Sequence, residues 1–280
     1  MLPGTLPLLP VGGAGRSRPL SPPLCAVSPF HNNLYPEPGS GATAAAGFSY
    51  DIEVEFTHAY QRHLLTYLCQ HQFQLLAYRG ASGPQPLRAG LPTWFAKSFC
   101  GLVGPIQLSC QPRYKVYVCR QTKFELGDIV QPDLVSGALA PGATLVLDPA
   151  GRLRRSSEPA PAGSIALRNE MAAGTGAVTV GLAAPINGEY WPFCAFRCES
   201  QQEAVLTPHD EVALFAAPAS LQPGTLVSHL DAPGSLLPFT SHTPFYTLTM
   251  RDDSHTLVAD WPTLATPVAA GTSLARLLRM

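Results

Sequence analysis

The sequence predicts an all-β protein of two related β-sandwich-like units, with one short helix and a disordered N-terminal arm. Two observations support this prediction. Short apolar runs alternate with Pro- and Gly-containing turns along the chain, which is typical of sandwiches and barrels. A stretch at 111–122 is also echoed about one hundred residues later, at 207–218. A chain of 280 residues can form one large β domain or two small ones with a sizeable core.

The composition favours a protein that associates. Charged residues make up 13% of the chain, about half the usual share, while 46% is hydrophobic. A surface this poor in charge associates readily with copies of itself or with another protein. A GC-rich coding bias explains the same composition equally well. The net charge of −1 provides no general attraction to nucleic acid, and no nucleic-acid partner is expected.

Residues 1–46 are rich in Pro, Gly, Ala and Ser and show neither helical nor strand periodicity. They are predicted to form a disordered arm. No basic region precedes the first apolar residues, which makes a poor secretory signal. The sequence contains no run of about 18 apolar residues that could form a membrane-spanning helix. These features favour a soluble, intracellular chain that is not classically secreted.

The first β unit is predicted over 47–135. It opens with "FSYDIEVEF", where apolar and acidic residues alternate as in a half-buried strand. A short helix is predicted over 57–70, capped by Thr57 and carrying Leu64 and Leu68 on one face. "FQLLAYRG", "TWFAKSF", "GPIQLSCQP" and "YKVYVCRQ" then read as strands.

A hairpin and a Pro-rich connector are predicted over 136–164. The hairpin turn is "DPAG", whose Pro and Gly positions are typical of a type I turn. The second β unit is predicted over 165–262, where a further series of short strands alternates with turns. The tail over 263–280 ends in "GTSLARLLRM", which could form a final helical turn.

The two echoed stretches share the positions of turns and of apolar residues, but few identical residues. Pro112 aligns with Pro208 and Val116 with Val212, and a Gly turn follows each strand. Upstream, "FQLLAYRGASG" resembles "VTVGLAAPING". A tandem duplication and a chance likeness of two β-hairpins both explain this pattern.

The charges in the echoed stretch are not shared between its two copies. His209, Asp210 and Glu211 of "TPHDEV" stand where the earlier copy has Arg, Tyr and Lys. These three side chains are therefore predicted to face solvent, and the stretch is interpreted as scaffold.

Catalytic motifs are scarce. The chain contains no GxSxG, HExxH or P-loop pattern. "RDDSH" places Asp, Ser and His side by side, but neighbours on a strand point to opposite faces, and a hairpin turn explains it. His58 and His63 differ by about 140° around the predicted helix, which suits no shared metal ion. No catalytic residue, metal ligand or cofactor is predicted.

The seven cysteines are odd in number and include no CxxC pair. This pattern argues against a zinc ribbon, a thioredoxin-like motif or a full disulfide framework. Cys110 and Cys119 flank a turn and could meet across a hairpin, whereas Cys194 and Cys198 lie too far apart along one strand. In a reducing compartment all are expected to be free thiols, most of them buried.

Aromatic residues near strand ends give the only candidate binding site. The "NGEYW" turn contributes Asn187, Tyr190 and Trp191, and Trp94 is added from the first unit. Exposed aromatic rings at such positions stack on sugars or insert at a lipid interface. The alternative is that these rings close the core.

The leading functional prediction is a non-enzymatic assembly or interaction protein that self-associates or binds another protein through its charge-poor surface. The second is a glycan- or membrane-recognising β-sandwich, lectin-like or cytolysin-like. The third is a hydrolase of unknown class.

Overall fold

The structure is a computed structural model that describes residues 49–56, 61–102, 104–260 and 264–280. The predicted arm over 1–46 and the predicted cap Thr57 lie outside these residues. The all-β prediction is confirmed, because 49% of the described residues are strand and these residues contain two helices, one of them short. The helix predicted over 57–70 is present as α1 (Gln61–Gln70). The first four residues of the predicted range, 57–60, lie outside the described residues.

The first nine strands are β1 (Tyr50–Glu55), β2 (Phe73–Ser82), β3 (Leu91–Pro92), β4 (Phe95–Ser98), β5 (Ile106–Cys110), β6 (Lys115–Cys119), β7 (Leu134–Val135), β8 (Thr144–Leu147) and β9 (Leu153–Arg155). The remaining strands are β10 (Ile165–Asn169), β11 (Val178–Ile186), β12 (Glu189–Cys198), β13 (Glu203–Pro218), β14 (Leu226–Val227), β15 (Gly234–Pro238), β16 (Phe245–Met250), β17 (Leu257–Ala259) and β18 (Thr266–Val268). The second helix, α2 (Leu274–Leu277), follows β18 and is the predicted final helical turn.

Two eight-stranded sheets account for most of these strands. Sheet I has the order β17-β16-β1-β5-β11-β6-β7, with β12 also paired to β11. Sheet II has the order β18-β15-β13-β10-β8-β9, with β2 paired to β13 and β4 to β2. Most pairs are antiparallel, but β1 runs parallel to β16 and β8 parallel to β10.

The main hydrophobic core lies between the sheets and follows from strand alternation. Val116 and Val118 of β6 enter this core, whereas Tyr117 and Cys119 belong to a separate cluster on the other face, as the alternation predicts. β1 contributes Ile52 in the same way. Because side chains of both sheets fill one core, the sheets form a sandwich.

The two predicted units are interleaved within this sandwich. From the segment 47–135, β1, β5 and β6 enter sheet I, whereas β2 and β4 enter sheet II. From the segment 165–262, β11 pairs with β6 and β13 pairs with β2. Each half of the chain therefore completes a sheet of the other.

Both predicted hairpin turns are present. β8 and β9 pair antiparallel around Asp148–Gly151, where the Gly151 N–H donates to the Asp148 carbonyl oxygen at 2.8 Å. β16 and β17 pair around the "RDDSH" stretch, which closes with the Arg251 N–H donating to the Thr256 oxygen at 2.9 Å. Ser254 bonds to Asp253 and Thr256 and not to a histidine, so this stretch is a turn.

The expectation that all cysteines are free thiols is wrong for two of them. Cys69 at the end of α1 and Cys100 after β4 form a disulfide, with their Cα atoms 4.6 Å apart. The chain elements on either side of the bridge both pack on β2, which brings the two residues together. Cysteine count and spacing gave no sign of a pair separated by 31 residues.

The C-terminal segment covers the outer face of sheet II. Leu274 and Leu278 are buried against a cluster that includes Tyr78 and Phe215. Gly80 of β2 allows this approach, because a Cβ there would lie 2.5 Å from the Leu278 carbonyl oxygen. The tail is therefore an integral layer of the fold.

A Gly80→Ala substitution should loosen this layer. The added methyl group overlaps the Leu278 carbonyl, and overpacking of this kind costs about 1–3 kcal/mol. We expect faster amide hydrogen exchange in 274–280 and a lower free energy of unfolding. Gly137→Ala is the matched control, because a Cβ there meets nothing within 4 Å; equal exchange in the two variants would contradict the role of Gly80.

Candidate functional site

Arg79 is a buried cation at the centre of the sandwich. It lies on β2 within an otherwise apolar run, and its side chain is 1% exposed. The guanidinium carbon lies 5.2–5.8 Å from the ring centroids of Tyr50, Trp94, Tyr114 and Phe193. Aromatic faces stabilise a desolvated cation at these distances.

Hydrogen bonds fix the orientation of the Arg79 guanidinium. Nε donates to the His209 carbonyl oxygen at 2.8 Å, and Nη2 donates to the Tyr114 hydroxyl at 2.9 Å and to Asp210 Oδ1 at 3.2 Å. Nη1 is buried with no hydrogen-bond partner among the described residues. Burial by itself opposes the charge, but Tyr114, Tyr50 and Asp210 leave the pKa of Arg79 above its usual range, so it stays protonated.

The prediction that His209, Asp210 and Glu211 face solvent holds for Asp210, which is exposed, and not for His209 and Glu211, which are half-buried. The pairing of β13 with β2 shifts register between Pro208 and Val212, which is a bulge at these three residues. Asp210 is 54% exposed but contacts Arg79, and Glu211 is only 17% exposed and pairs with Arg279 of the tail. The bulge therefore directs each side chain to its own partner.

His209 is held on both ring nitrogens. Nδ1 lies 2.8 Å from the Leu278 carbonyl oxygen, and Nε2 lies 2.8 Å from Ser82 Oγ. A carbonyl oxygen only accepts, so Nδ1 carries the proton in the neutral ring and Nε2 accepts from the Ser82 hydroxyl. Ser82 is exposed at the last position of β2.

A cleft of about 340 Å³ opens beside this group. The bulge residues line one wall, and Phe239, Thr240 and Arg279 contribute to the rest. Its lining thus combines two carboxylates, an imidazole and a guanidinium with an aromatic ring. We take Ser82, His209 and the adjoining cleft as the candidate site.

A second cleft of about 340 Å³ lies near β6, β7 and the β8–β9 turn. Val118, Leu134 and Val178 contribute apolar lining, and Arg120 and Asp133 contribute charge. The Asp133 carboxylate accepts the Arg120 backbone N–H at 2.6 Å. This cleft contains none of the four predicted binding residues.

Trp94, one of the four predicted binding residues, is fully buried in the main core. Its indole N–H donates to the Ala184 carbonyl oxygen at 3.1 Å, and its ring faces Arg79. The ring has no accessible surface in this structure and supports the core. It does not join the other three residues at a common surface.

Asn187, Tyr190 and Trp191 lie together on the hairpin that joins β11 and β12. Asn187 and Gly188 both have positive φ, at 52° and 85°, as a two-residue type I′ turn requires. The Asn187 side chain is tied to β5, accepting from the Ser109 N–H and donating to the Gln107 oxygen. Trp191 is 7% exposed, and Tyr190 is half-buried under the Lys115 ammonium at 4.5 Å.

The histidines with described positions form no metal site, and no group of three or more His, Cys, Asp or Glu residues in the described ranges could hold an ion. Two of them meet on one aromatic ring. His71 and His255 lie 4.2 Å and 4.8 Å from the Tyr67 ring centroid. His58, which the sequence placed on the helix, lies outside the described residues.

The cysteines outside the disulfide, where described, are buried free thiols: Cys110, Cys119, Cys194 and Cys198. Burial raises the pKa of Cys110 and of Cys194 from the ordinary 9.0 to about 12. A reactive thiol needs a lowered pKa and access to solvent. These groups therefore serve packing, as predicted for free buried cysteines.

No protein-family model, curated protein or solved structure matches the chain. Within the described part of the chain, neither helix is long and apolar enough to cross a membrane. The geometry described above is thus the basis for any functional conclusion.

Sequence reasoning missed Ser82 and Arg79, and it assigned His209 to the solvent-facing side of its strand. A signal for Arg79 was present, because a cation inside the apolar run "LLAYRGA" needs a buried partner. No comparable signal pointed to Ser82 and His209, which lie 127 residues apart and meet through strand pairing.

Asp210→Ala should leave the Arg79 cation without its carboxylate. Removing one partner of a buried hydrogen-bonded group costs about 1–3 kcal/mol, and the exposure of Asp210 places the expected loss at the lower end. In an Arg79→Met background the same substitution should cost little. Urea unfolding of the two single variants and the double variant measures this coupling; additive losses would show that the pair is not coupled.

The buried thiols should make the protein less stable at alkaline pH. The folded pKa of Cys194 is raised, so its contribution is fully present below the unfolded value near 9 and is lost as pH rises towards 12. In that pH range one such thiol lowers the free energy of unfolding by about 1.4 kcal/mol for each pH unit. The free energy of unfolding, measured with urea across this pH range, should therefore fall less steeply for Cys194→Ala than for the parent chain. The same pH dependence in both proteins would contradict this role of Cys194.

Proposed function

We propose that the protein is an interaction protein that self-associates through an apolar surface centred on the loop between β6 and β7. The observation that carries this proposal is the exposure of Leu126 and Ile129, which are 66% and 39% accessible. We call Leu126, Ile129 and Tyr190 the ladder surface. Large apolar side chains grouped on an ordered support are a common feature of protein interfaces.

The support beneath this surface is a short antiparallel ladder. The Gly127 N–H donates to the Leu226 oxygen, and the Val130 N–H donates to the Gly224 oxygen at 3.0 Å. Ile129 also forms an isolated bridge with Thr225. Because the backbone on both sides is hydrogen-bonded, Ile129 is presented without a large ordering cost on binding.

Tyr190 connects the ladder surface with the binding edge suggested by the sequence. It packs against the same outer cluster that contains Val130 and Leu226. Lys115 is 5% exposed and lies over the Tyr190 ring, and the exposed charges beside the surface are Lys123, Glu125 and Glu189. Apolar side chains surrounded by charges of both signs suit a second copy of the chain, because each copy then offers the other an apolar centre and complementary charges.

The geometry gives less support to a glycan- or membrane-recognising function. Trp191 is nearly buried and Trp94 wholly so, which leaves Tyr190 as the accessible ring among the predicted aromatics. The polar side chain of Asn187 is occupied by β5. Stacking on a sugar requires an open ring face.

The ladder also bears on the predicted duplication. It joins the turns that follow the two echoed strands, and their glycines share one conformation, with φ of 89° at Gly127 and 91° at Gly224. In sequence, the segment of β2 resembles that of β11, and the segment of β6 resembles that of β13. In the structure, β6 pairs with β11 and β2 pairs with β13, so each pair joins one strand from each predicted unit. These features support two copies of one β unit that exchange strands across a pseudo-twofold relation.

Leu126→Glu combined with Ile129→Glu should convert the associated form to a monomer. The charges would have to be buried at the interface, at a cost of several kcal/mol. Phe245→Glu is the matched control, because Phe245 is 49% exposed but lies on β16. Light scattering coupled to size exclusion gives the solution mass; a monomeric parent chain at high concentration would rule out self-association.

A further inference from the structure

Ser82 and His209 meet the geometric requirements of a nucleophile and its base. Ser82 Oγ is exposed and lies 2.8 Å from His209 Nε2. The Leu278 carbonyl oxygen, 2.8 Å from Nδ1, holds the tautomer in which Nε2 has a free electron pair. Nucleophile, base and orienting group in hydrogen-bond contact are the arrangement that activates a serine hydroxyl.

We propose that Ser82 is a nucleophile, activated by His209, that accepts the acyl group of small carboxylic esters. This activity goes beyond the interaction role and is independent of the ladder surface. The orienting group is a neutral carbonyl from the C-terminal segment, where many serine hydrolases have a carboxylate. The activity therefore depends on docking of the tail.

The reaction balances without a cofactor. Ser82 Oγ attacks the ester carbonyl carbon as its proton moves to His209 Nε2, and the C–O bond to the alcohol breaks. His209 returns the proton to the leaving alcohol, which leaves an acylated Ser82. Water attacks the acyl group by the same route, releasing a carboxylic acid and the free hydroxyl.

The chain next to Ser82 can stabilise the oxyanion. The N–H of Gly83 makes no hydrogen bond to the described residues. Backbone N–H groups beside a nucleophile are the usual donors to the negative oxygen of the tetrahedral intermediate. A side chain at position 83 would collide with the Phe196 ring, 2.7 Å from a Cβ there, so glycine is required at this turn.

The adjoining cleft offers room for a small substrate beside His209. It is open to solvent beside His209, and its volume of about 340 Å³ suits a small acyl ester. Its lining carries the Asp210 and Glu211 carboxylates, and Arg279 is paired with Glu211, so an uncharged ester suits it better than an anionic one.

The test is acylation of the full chain by p-nitrophenyl acetate, followed by peptide mapping. We expect one acetyl group on Ser82 and stoichiometric release of p-nitrophenol in the first turnover. Ser82→Ala should abolish that acetylation, and His209→Gln should slow it roughly 100-fold or more, the usual contribution of a general base. Circular dichroism confirms that each variant is folded.

A second Ser–His contact provides the control. Ser228 Oγ lies 2.9 Å from His229 Nδ1, on an exposed turn with no carbonyl bonded to the other nitrogen among the described residues. Ser228→Ala should leave the acetylation of Ser82 unchanged. The proposal is overturned if Ser82 is acetylated no faster than Ser228, or if His209→Gln leaves the rate on Ser82 unchanged.

If His209→Gln fails to fold, Ser82→Cys replaces it. A thiolate is intrinsically more nucleophilic than a hydroxyl, so acetylation at position 82 should increase while the fold is retained. Absence of acetylation at position 82 in both the parent chain and this variant overturns the proposal. None of these outcomes depends on the solution mass, so the ladder surface and the Ser82 site can fail separately.

Discussion

The enclosure of one guanidinium between two sheets constrains much of this fold. Arg79 needs aromatic faces, a carbonyl oxygen and a carboxylate within a few ångströms, because an unpaired cation in an apolar core is very costly. The groups that meet this need come from β1, the turn before β6, β12 and β13. Both sheets must therefore be in register before the charge is satisfied. A cation in this position favours one arrangement of the sandwich over others that would bury the same apolar surface.

The bulge in β13 extends this constraint to the surface. The bulge breaks the register with β2, and its three consecutive residues contact Arg79, Ser82 and the C-terminal segment. Asp210 completes the Arg79 centre, while His209 and Glu211 fasten the C-terminal segment. The core charge and the tail are thus coupled through three adjacent residues. The exposed Ser82 hydroxyl lies where these two systems meet.

Local patterning predicted much of the secondary structure, and long-range pairing accounts for what it missed. Alternation identified the inward face of β1 and both faces of β6, and turn chemistry identified the hairpins after Leu147 and Met250. These features depend on neighbouring residues. The Cys69–Cys100 bridge, the Arg79–Asp210 pair and the Ser82–His209 contact depend on which strands lie side by side, and strand order is not encoded in periodicity. The partners of the "TPHDEV" charges were missed for the same reason, because they lie on β2 and in the C-terminal segment.

Strand order also has a consequence for how the chain reaches this structure. β1 lies between β5 and β16, and its register joins Asp51 to Phe245, almost two hundred positions further along. β2 likewise pairs with β13, which follows it more than one hundred residues later in the chain. Closing such long loops is entropically expensive, and domains dominated by distant pairings fold slowly. During synthesis, the early strands must remain without their final neighbours until most of the chain has emerged. Their apolar edges are exposed throughout that period, and exposed strand edges are prone to aggregation.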